Sequence, residues 1–163
     1  MGAGLNLIPN YGRAPSNERV YDTKPVSKGQ RISLIGAMTK SGMKTALNIE
    51  GTTTALVFIY FLTHFLCPLL EKGDYVVVDN ASIHKSDEIK ELIEACGATL
   101  IYLPPYHPEL NPIELAWNKI KTRLRKERAR TKEQLYDIYS KALKTITSNN
   151  TNKFFCKSME FIT

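Results

Sequence analysis

Cysteine is scarce and unpaired. The chain holds three, Cys67, Cys96 and Cys156, with no C-x-x-C spacing. An odd count without paired motifs excludes a disulfide framework and a cysteine-rich zinc site, and it fits a reducing cytosol. Long apolar runs are also lacking. The most apolar stretch, Ala55 to Leu70, has 16 residues, includes Thr63 and His64 and is interrupted by Pro68. A membrane-spanning helix needs about 20 apolar residues, so a buried core helix is expected, with His64 as a core or edge residue. The N-terminus, MGAGLNLIPNYGRAP, has no charged-then-apolar signal pattern. Internal repeats and low-complexity segments are absent. What remains is ordinary globular material: 163 residues, 43% apolar and 23% charged, about one domain's worth.

Charge is unevenly placed. The net charge is +6, yet residues 119 to 132 alone carry eight basic side chains against one acid, Glu127. The basic character therefore belongs to one helix and its exit. A solvated helix face would explain it, and so would a surface that tracks phosphates.

Patterning divides the rest. Residues 1 to 16 are rich in Gly, Pro and Asn and read as loop. Short β-type runs follow at Arg19 to Tyr21, Ile32 to Met38 and Lys44 to Ile49, punctuated by Gly29, Gly42 and Gly51, as in an antiparallel meander. Thr52 to Thr54 precede a helix expected over about 53 to 70. DYVVVD, 74 to 79, reads as a strand buried on both faces. Ser86 to Cys96 reads as an amphipathic helix closed by Gly97, and Ala98 to Leu103 as a second buried strand. Strand, helix and strand at this spacing make a right-handed βαβ unit. After the Pro-rich loop 104 to 110, Asn111-Pro112 starts a helix as N-cap and first helical residue. Its apolar stripe is Ile113, Trp117, Ile120 and Leu124. A further helix is expected over about 131 to 147, then a polar tail with Phe154, Phe155 and Phe161 as docking residues.

Two carboxylates stand out. Asp79 ends the valine strand, and strand ends in open α/β sheets line ligand crevices. Glu114 lies in the first turn of the Pro112 helix. Carboxylate oxygens are hard ligands suited to Mg²⁺ (or Mn²⁺), and two such ions about 4 Å apart serve phosphodiester cleavage. Each residue alone also has a plain structural explanation: Asp79 as a turn residue, Glu114 as a capping or dipole residue.

VVVDNASIHKS followed by YLPPYHPELNPIELAWNKIK resembles the catalytic core of mariner-type insertion-sequence transposases, members of the DDE superfamily with an RNase H-like fold. Thirty-four residues lie between Asp79 and Glu114, as is usual in that family. YGRAP, ERV and the LIGAM strand match its upstream half, so the likeness spans about residues 4 to 128. The NPIE segment is the specific part. His107 departs from the family's usual Ser. The resemblance implies an α/β RNase H-like mixed sheet, an antiparallel meander plus parallel strands, flanked by helices. It implies Asp79 and Glu114 as catalytic metal ligands, with Asn80, His84 and Asn111 supporting the site. It also implies DNA binding along Lys119, Lys121, Arg123, Arg125, Lys126 and Arg128. The family's activity is metal-dependent strand cleavage at transposon ends and transfer of the freed 3′-hydroxyl to target DNA, DNA transposition by integration, with homo-oligomers as the working assembly.

One expectation concerns completeness. The family's first carboxylate ends a central strand just before the Gly-rich segment, where this chain has Met1-Gly2-Ala3-Gly4, and its first acid is Glu18. The resemblance therefore implies a domain over 1–148 that lacks its first, central strand, a C-terminal tail over 149–163, and inactivity of this polypeptide alone. The alternatives are a non-catalytic DNA-binding remnant, the downstream half of a frame-split transposase, or another RNase H-like nuclease. A cytoplasmic, nucleoid-associated location and no membrane are expected.

Overall fold

In the computed structural model, residues 1–5, 7–23 and 31–161 are described. β1 (Gly2–Gly4), β2 (Arg31–Thr39) and β3 (Gly42–Glu50) form one antiparallel sheet in that order. β2 and β3 make a long hairpin that turns at Lys40 and Ser41, with a register shift between Ala37 and Met38. Of the predicted meander, Ile32 to Met38 and Lys44 to Ile49 are strands, whereas Arg19 to Tyr21 is not. Gly29 lies outside the described residues. The first sheet's third strand comes instead from Gly2–Gly4, inside a segment whose composition reads as loop. A glycine-rich stretch carries no alternating apolar signal, and its pairing comes from β2: Ala3 faces Ile32, and Met1 exchanges two hydrogen bonds with Leu34.

The apolar run is helical throughout but not uniformly so. α1 (Ala55–Phe61), capped by the Thr54 hydroxyl, runs into one π turn (Leu62–Leu66) and then a 3₁₀ turn (Cys67–Leu69). Pro68 has no N–H to give and its ring crowds the carbonyl four residues back, so the regular ladder cannot continue through it. The Cys67 N–H bonds instead to the Leu62 carbonyl. No helix among the described residues is long and apolar enough to cross a membrane. His64 is exposed, its ring 4.4 Å from that of Tyr60.

β4 (Tyr75–Val78), α2 (Asp87–Ala95) and β5 (Thr99–Tyr102) form the expected βαβ unit, with β4 and β5 parallel. Ser86 caps α2 through its hydroxyl, and Gly97, at φ 76°, ends it in the left-handed region that glycine adopts without strain. Burial on both faces did not follow. Val76 is buried, but Val77 is 47% exposed, Tyr75 70% and Ile101 40%. Among the described residues β4 and β5 pair only with each other, so neither outer edge of this two-stranded sheet is paired with a strand, and the face that carries Tyr75, Val77 and Ile101 is exposed.

α3 (Pro112–Glu127), α4 (Lys132–Leu143) and α5 (Ser148–Met159) complete the chain. The polar segment after Ser148 is therefore a helix rather than an irregular tail. Thr147 and Asn150 form a capping box, and Thr151, fully buried, donates its hydroxyl to the Lys40 carbonyl at 2.6 Å. Polar composition hid this helix because its buried contacts are made by small hydroxyl residues.

Two cores result. The first joins the β1–β3 sheet to α3, α4 and α5 around Leu34, Trp117, Ile120, Leu124 and Tyr139. Gly36 makes this possible: a Cβ there would lie 3.0 Å from the Trp117 ring, from Met43 and from the Thr45 carbonyl. The second core, smaller, holds Phe58, Phe61, Leu62, Val76, Ile89 and Ile93 between α1, α2 and β4. All three cysteines are free; burial and a hydrogen bond with Cys96 push the Cys67 thiol up to about 11.

Candidate active site

Asp79 is the residue at which β4 stops. Its carboxylate accepts from the Ala81 N–H at 3.2 Å, so the turn explanation is fulfilled. That bond uses part of its acceptor capacity, and the side chain stays 51% exposed. The same Oδ1 lies 2.7 Å from Nδ1 of His84. A carboxylate only accepts, so Nδ1 carries the hydrogen and Nε2 is left for another partner. His84 sits in a 3₁₀ turn (Ser82–His84) and is fixed from two further sides. Its ring lies 4.2 Å from that of Phe58, and its carbonyl accepts from the Tyr102 hydroxyl at 2.9 Å.

Glu114 occupies the third position of α3. The capping explanation does not hold for it. A capping box would need the Asn111 N–H, but that group donates to the Pro108 carbonyl at 3.1 Å. Asn111 makes no side-chain cap bond either, contrary to its expected role; only its carbonyl serves, accepting from the Glu114 N–H. The Asn111 amide and the Glu114 carboxylate are thus both free of helix capping. The α3 N-terminus still favours the negative charge of Glu114.

The two carboxylates line the same cavities. One, of about 820 Å³, lies between β2 and β4; the other, of about 400 Å³, opens beyond the strand end and is bounded by the Pro104–Pro108 loop. Asn111 lines both cavities, Asn80 the smaller and His84 the larger. Asn80 Oδ1 is buried without a hydrogen-bond partner among the described residues. A buried acceptor with no donor is costly, and a cation or a hydrated ion is one partner that would satisfy it. The donor set of two carboxylates and an amide oxygen is hard, and fits Mg²⁺ or Mn²⁺ rather than zinc. Among the described residues no group of three or more His, Cys, Asp or Glu is arranged to hold a metal.

Lys85 and His107 also line the smaller cavity. Lys85 was not singled out from sequence, although it follows His84 directly. His107 Nδ1 lies 2.7 Å from Glu109 Oε1, and this hydrogen bond holds the Glu109 carboxyl below the usual carboxylate range. Tyr106 stands 97% exposed beside them at φ 64°.

The basic stretch is not one surface. Lys119 donates to the Thr145 carbonyl at 2.7 Å and to Asn150 at 2.6 Å, tying α3 to the start of α5. Arg123 pairs with Glu127, Arg128 with Asp22 and Lys132 with Glu50. Lys121, Arg125 and Lys126 have no ion-pair partner among the described residues.

Comparison with known proteins agrees with this architecture. The family described as DDE superfamily endonuclease matches residues 1–136, and the chain belongs to that family. Its fold is the RNase H-like fold of mariner transposase catalytic domains. A Mos1 transposase paired-end complex with the left transposon end superposes with a TM-score of 0.81 at 16% identity, covering 98% of this chain and 51% of that one. The Mos1 mariner paired-end complex with Mn gives 0.79 at 16%, covering 99% and 51%. The Mos1 catalytic domain with raltegravir and Mg gives 0.71 at 15%, covering 81% and 72%. The chain thus spans about half the length of the paired-end-complex transposases it matches. No curated protein sequence matches it.

Proposed function

We propose that Asp79 and Glu114 are metal-binding carboxylates of a DNA transposase catalytic domain. One observation carries the reading: a strand-end Asp and a first-turn Glu, with thirty-four residues between them in sequence, line the same two cavities, the smaller of which Asn80, with its orphaned oxygen, also lines. Bound there, Mg²⁺ or Mn²⁺ would polarise a water or hydroxyl for attack on a phosphodiester and neutralise charge on the leaving oxygen. Asn80 and Asn111 orient the donor set. His84 holds the Asp79 carboxylate in place and keeps one imidazole nitrogen available. Lys85 and His107 flank the smaller cavity and meet the phosphate's charge. DNA is the partner, approached by Lys121, Arg125 and Lys126; Lys119, Arg123 and Arg128 contribute less because they are engaged within the fold.

Of the carboxylates that line the larger cavity only Asp79 and Glu114 also line the smaller, and no group of three or more metal-ligating side chains stands among the described residues, so the polypeptide by itself is expected to hold metal weakly and to be inactive in cleavage. The test is Mn²⁺ titration followed by calorimetry, beside a strand-cleavage assay on duplex DNA. Weak Mn²⁺ binding that disappears in Asp79→Ala and in Glu114→Ala is expected. Binding indifferent to both substitutions overturns the metal assignment. Robust cleavage by the polypeptide alone, abolished by Asp79→Ala, overturns only the inactivity. DNA affinity is read separately against salt: Lys126→Ala should reduce the log–log slope by about one. A slope near zero for the unaltered chain removes phosphate contact as the binding mode.

A further inference from the structure

The loop from β5 to α3 holds one side chain that the fold does not use. Tyr106 is 97% exposed, and its side chain makes no hydrogen bond or ring contact among the described residues. Its backbone stands at φ 64°, in the left-handed region that a bulky L side chain adopts only under strain. Glycine or asparagine would take that conformation more readily. The loop around it is stiff. Pro104, Pro105 and Pro108 fix their own φ angles. At one end the Leu103 N–H bonds to the Val78 carbonyl; at the other the Leu110 and Asn111 N–H groups bond to the carbonyls of His107 and Pro108. The aromatic ring is thus held outward on a fixed support. Its place is the rim of the smaller cavity, which it lines together with Asp79, Asn80, Lys85, His107 and Glu114.

We propose that the Tyr106 ring is a stacking platform for one unpaired nucleobase of the DNA strand whose phosphate enters the smaller cavity. This rests on the reading of Asp79 and Glu114 as the place where that phosphate is cut. The groups around the ring favour a base over an apolar protein side chain. The cavity also offers an ammonium, an imidazole and the amides of Asn80 and Asn111, which a purely apolar partner would leave without bonds. A base presents its π-face to the tyrosine and hydrogen-bonding edges to these groups, and it is tethered to the phosphate that Lys85 and His107 meet. Inside a duplex both faces of a base are covered by its neighbours, so the ring reaches only a base that has left the stack. Tyr106 is then a positioning residue: it holds the nucleotide beside the reacting phosphate and touches no reacting atom. Because every base has a π-face, this contact fixes position without reading sequence.

The probe is a short DNA duplex carrying 5-iodouracil as a single unpaired bulge, beside the same duplex fully paired and the same bulge made abasic. Each is titrated with the full chain in EDTA, then irradiated so that the iodouracil joins covalently to an aromatic ring stacked on it. The bulged duplex should bind more tightly than the paired one, and mass spectrometry should find the adduct at Tyr106. Tyr106→Ala should weaken binding of the bulged duplex about tenfold, remove the adduct and leave the paired duplex unchanged. Tyr106→Phe should keep both binding and adduct, since a ring is all that stacking needs. Tyr106→Gly relieves the left-handed strain, and should lose the bulge preference while its denaturation midpoint stays level or rises. Equal weakening on both duplexes, no adduct at Tyr106, a preference that the abasic bulge retains, or Phe no better than Ala overturns the proposal. A midpoint that falls in Tyr106→Gly assigns the ring to the fold and overturns it too. The titration is free of metal, so Mn²⁺ binding indifferent to Asp79 and Glu114 is a separate failure, of the metal reading alone. Absence of binding to either duplex removes DNA as the partner, and this inference with it.

Discussion

The two cores differ in how they are closed. Around Trp117 and Tyr139, a nine-residue strand on each side of a hairpin is covered by three helices, and the interior residues are almost without solvent contact. Around Phe61 and Ile93, two four-residue strands carry one helix pair, and Tyr75, Val77 and Ile101 remain exposed. Asp79 belongs to the second region and Glu114 to the first. The candidate site therefore exists only where the two regions meet, and its geometry depends on the weaker one. Rigidity on one wall and an open edge on the other is the physical meaning of that difference.

Truncation experiments should separate the regions most strongly. Trp117→Ala is expected to cost about 3–5 kcal/mol and to lower the denaturation midpoint of the whole chain. Leu62→Ala is expected to cost about 2–5 kcal/mol, with faster hydrogen exchange in α2, β4 and β5 and protection retained in the β2–β3 hairpin. Uniform loss of protection in both variants would show that the two cores unfold as one.

Alkaline pH should act on the first region through Tyr139. Burial pushes the Tyr139 phenol from an ordinary 10.0 up to about 12, so the fold favours its neutral form. The associated stability is fully present below pH 10 and is lost as pH rises through about 12. Denaturation midpoints measured across that interval should fall, and Tyr139→Phe should flatten the fall.

Smaller changes sharpen the contrast further. Gly36→Val forces a side chain against Trp117 and should cost about 1–3 kcal/mol, with a shift in the fluorescence of this single tryptophan. Val77→Thr, on the exposed face of β4, should stay within about 0.5 kcal/mol in the same denaturation assay. Cap removal is the mildest: Thr147→Ala and Ser86→Ala should each cost about 1 kcal/mol, one in each region, measured by urea denaturation.

Legibility in the sequence did not follow that division. The β2–β3 hairpin, α2 with its Ser86 cap, and α3 with its Pro112 start were readable because periodicity and punctuation agree there. β1 and α5 were not, since one is glycine-rich and the other buries hydroxyls in place of large apolar groups. The valine run signalled a strand correctly but not its surroundings, because composition does not say which neighbours a strand has. In the same way the basic run could not show that Lys119 holds α5, or that Arg128 reaches back to Asp22.

By itself the sequence determined the β2–β3 hairpin, α2 and α3, and singled out two candidate acidic residues by their type and spacing, since these rest on local pattern and residue chemistry. Tertiary structure alone decided that Asp79 and Glu114 share two cavities, that Glu114 is not spent on a cap, and that β2 and β4 bound a common cavity. Those relations join residues distant along the chain, and only packing brings such residues together.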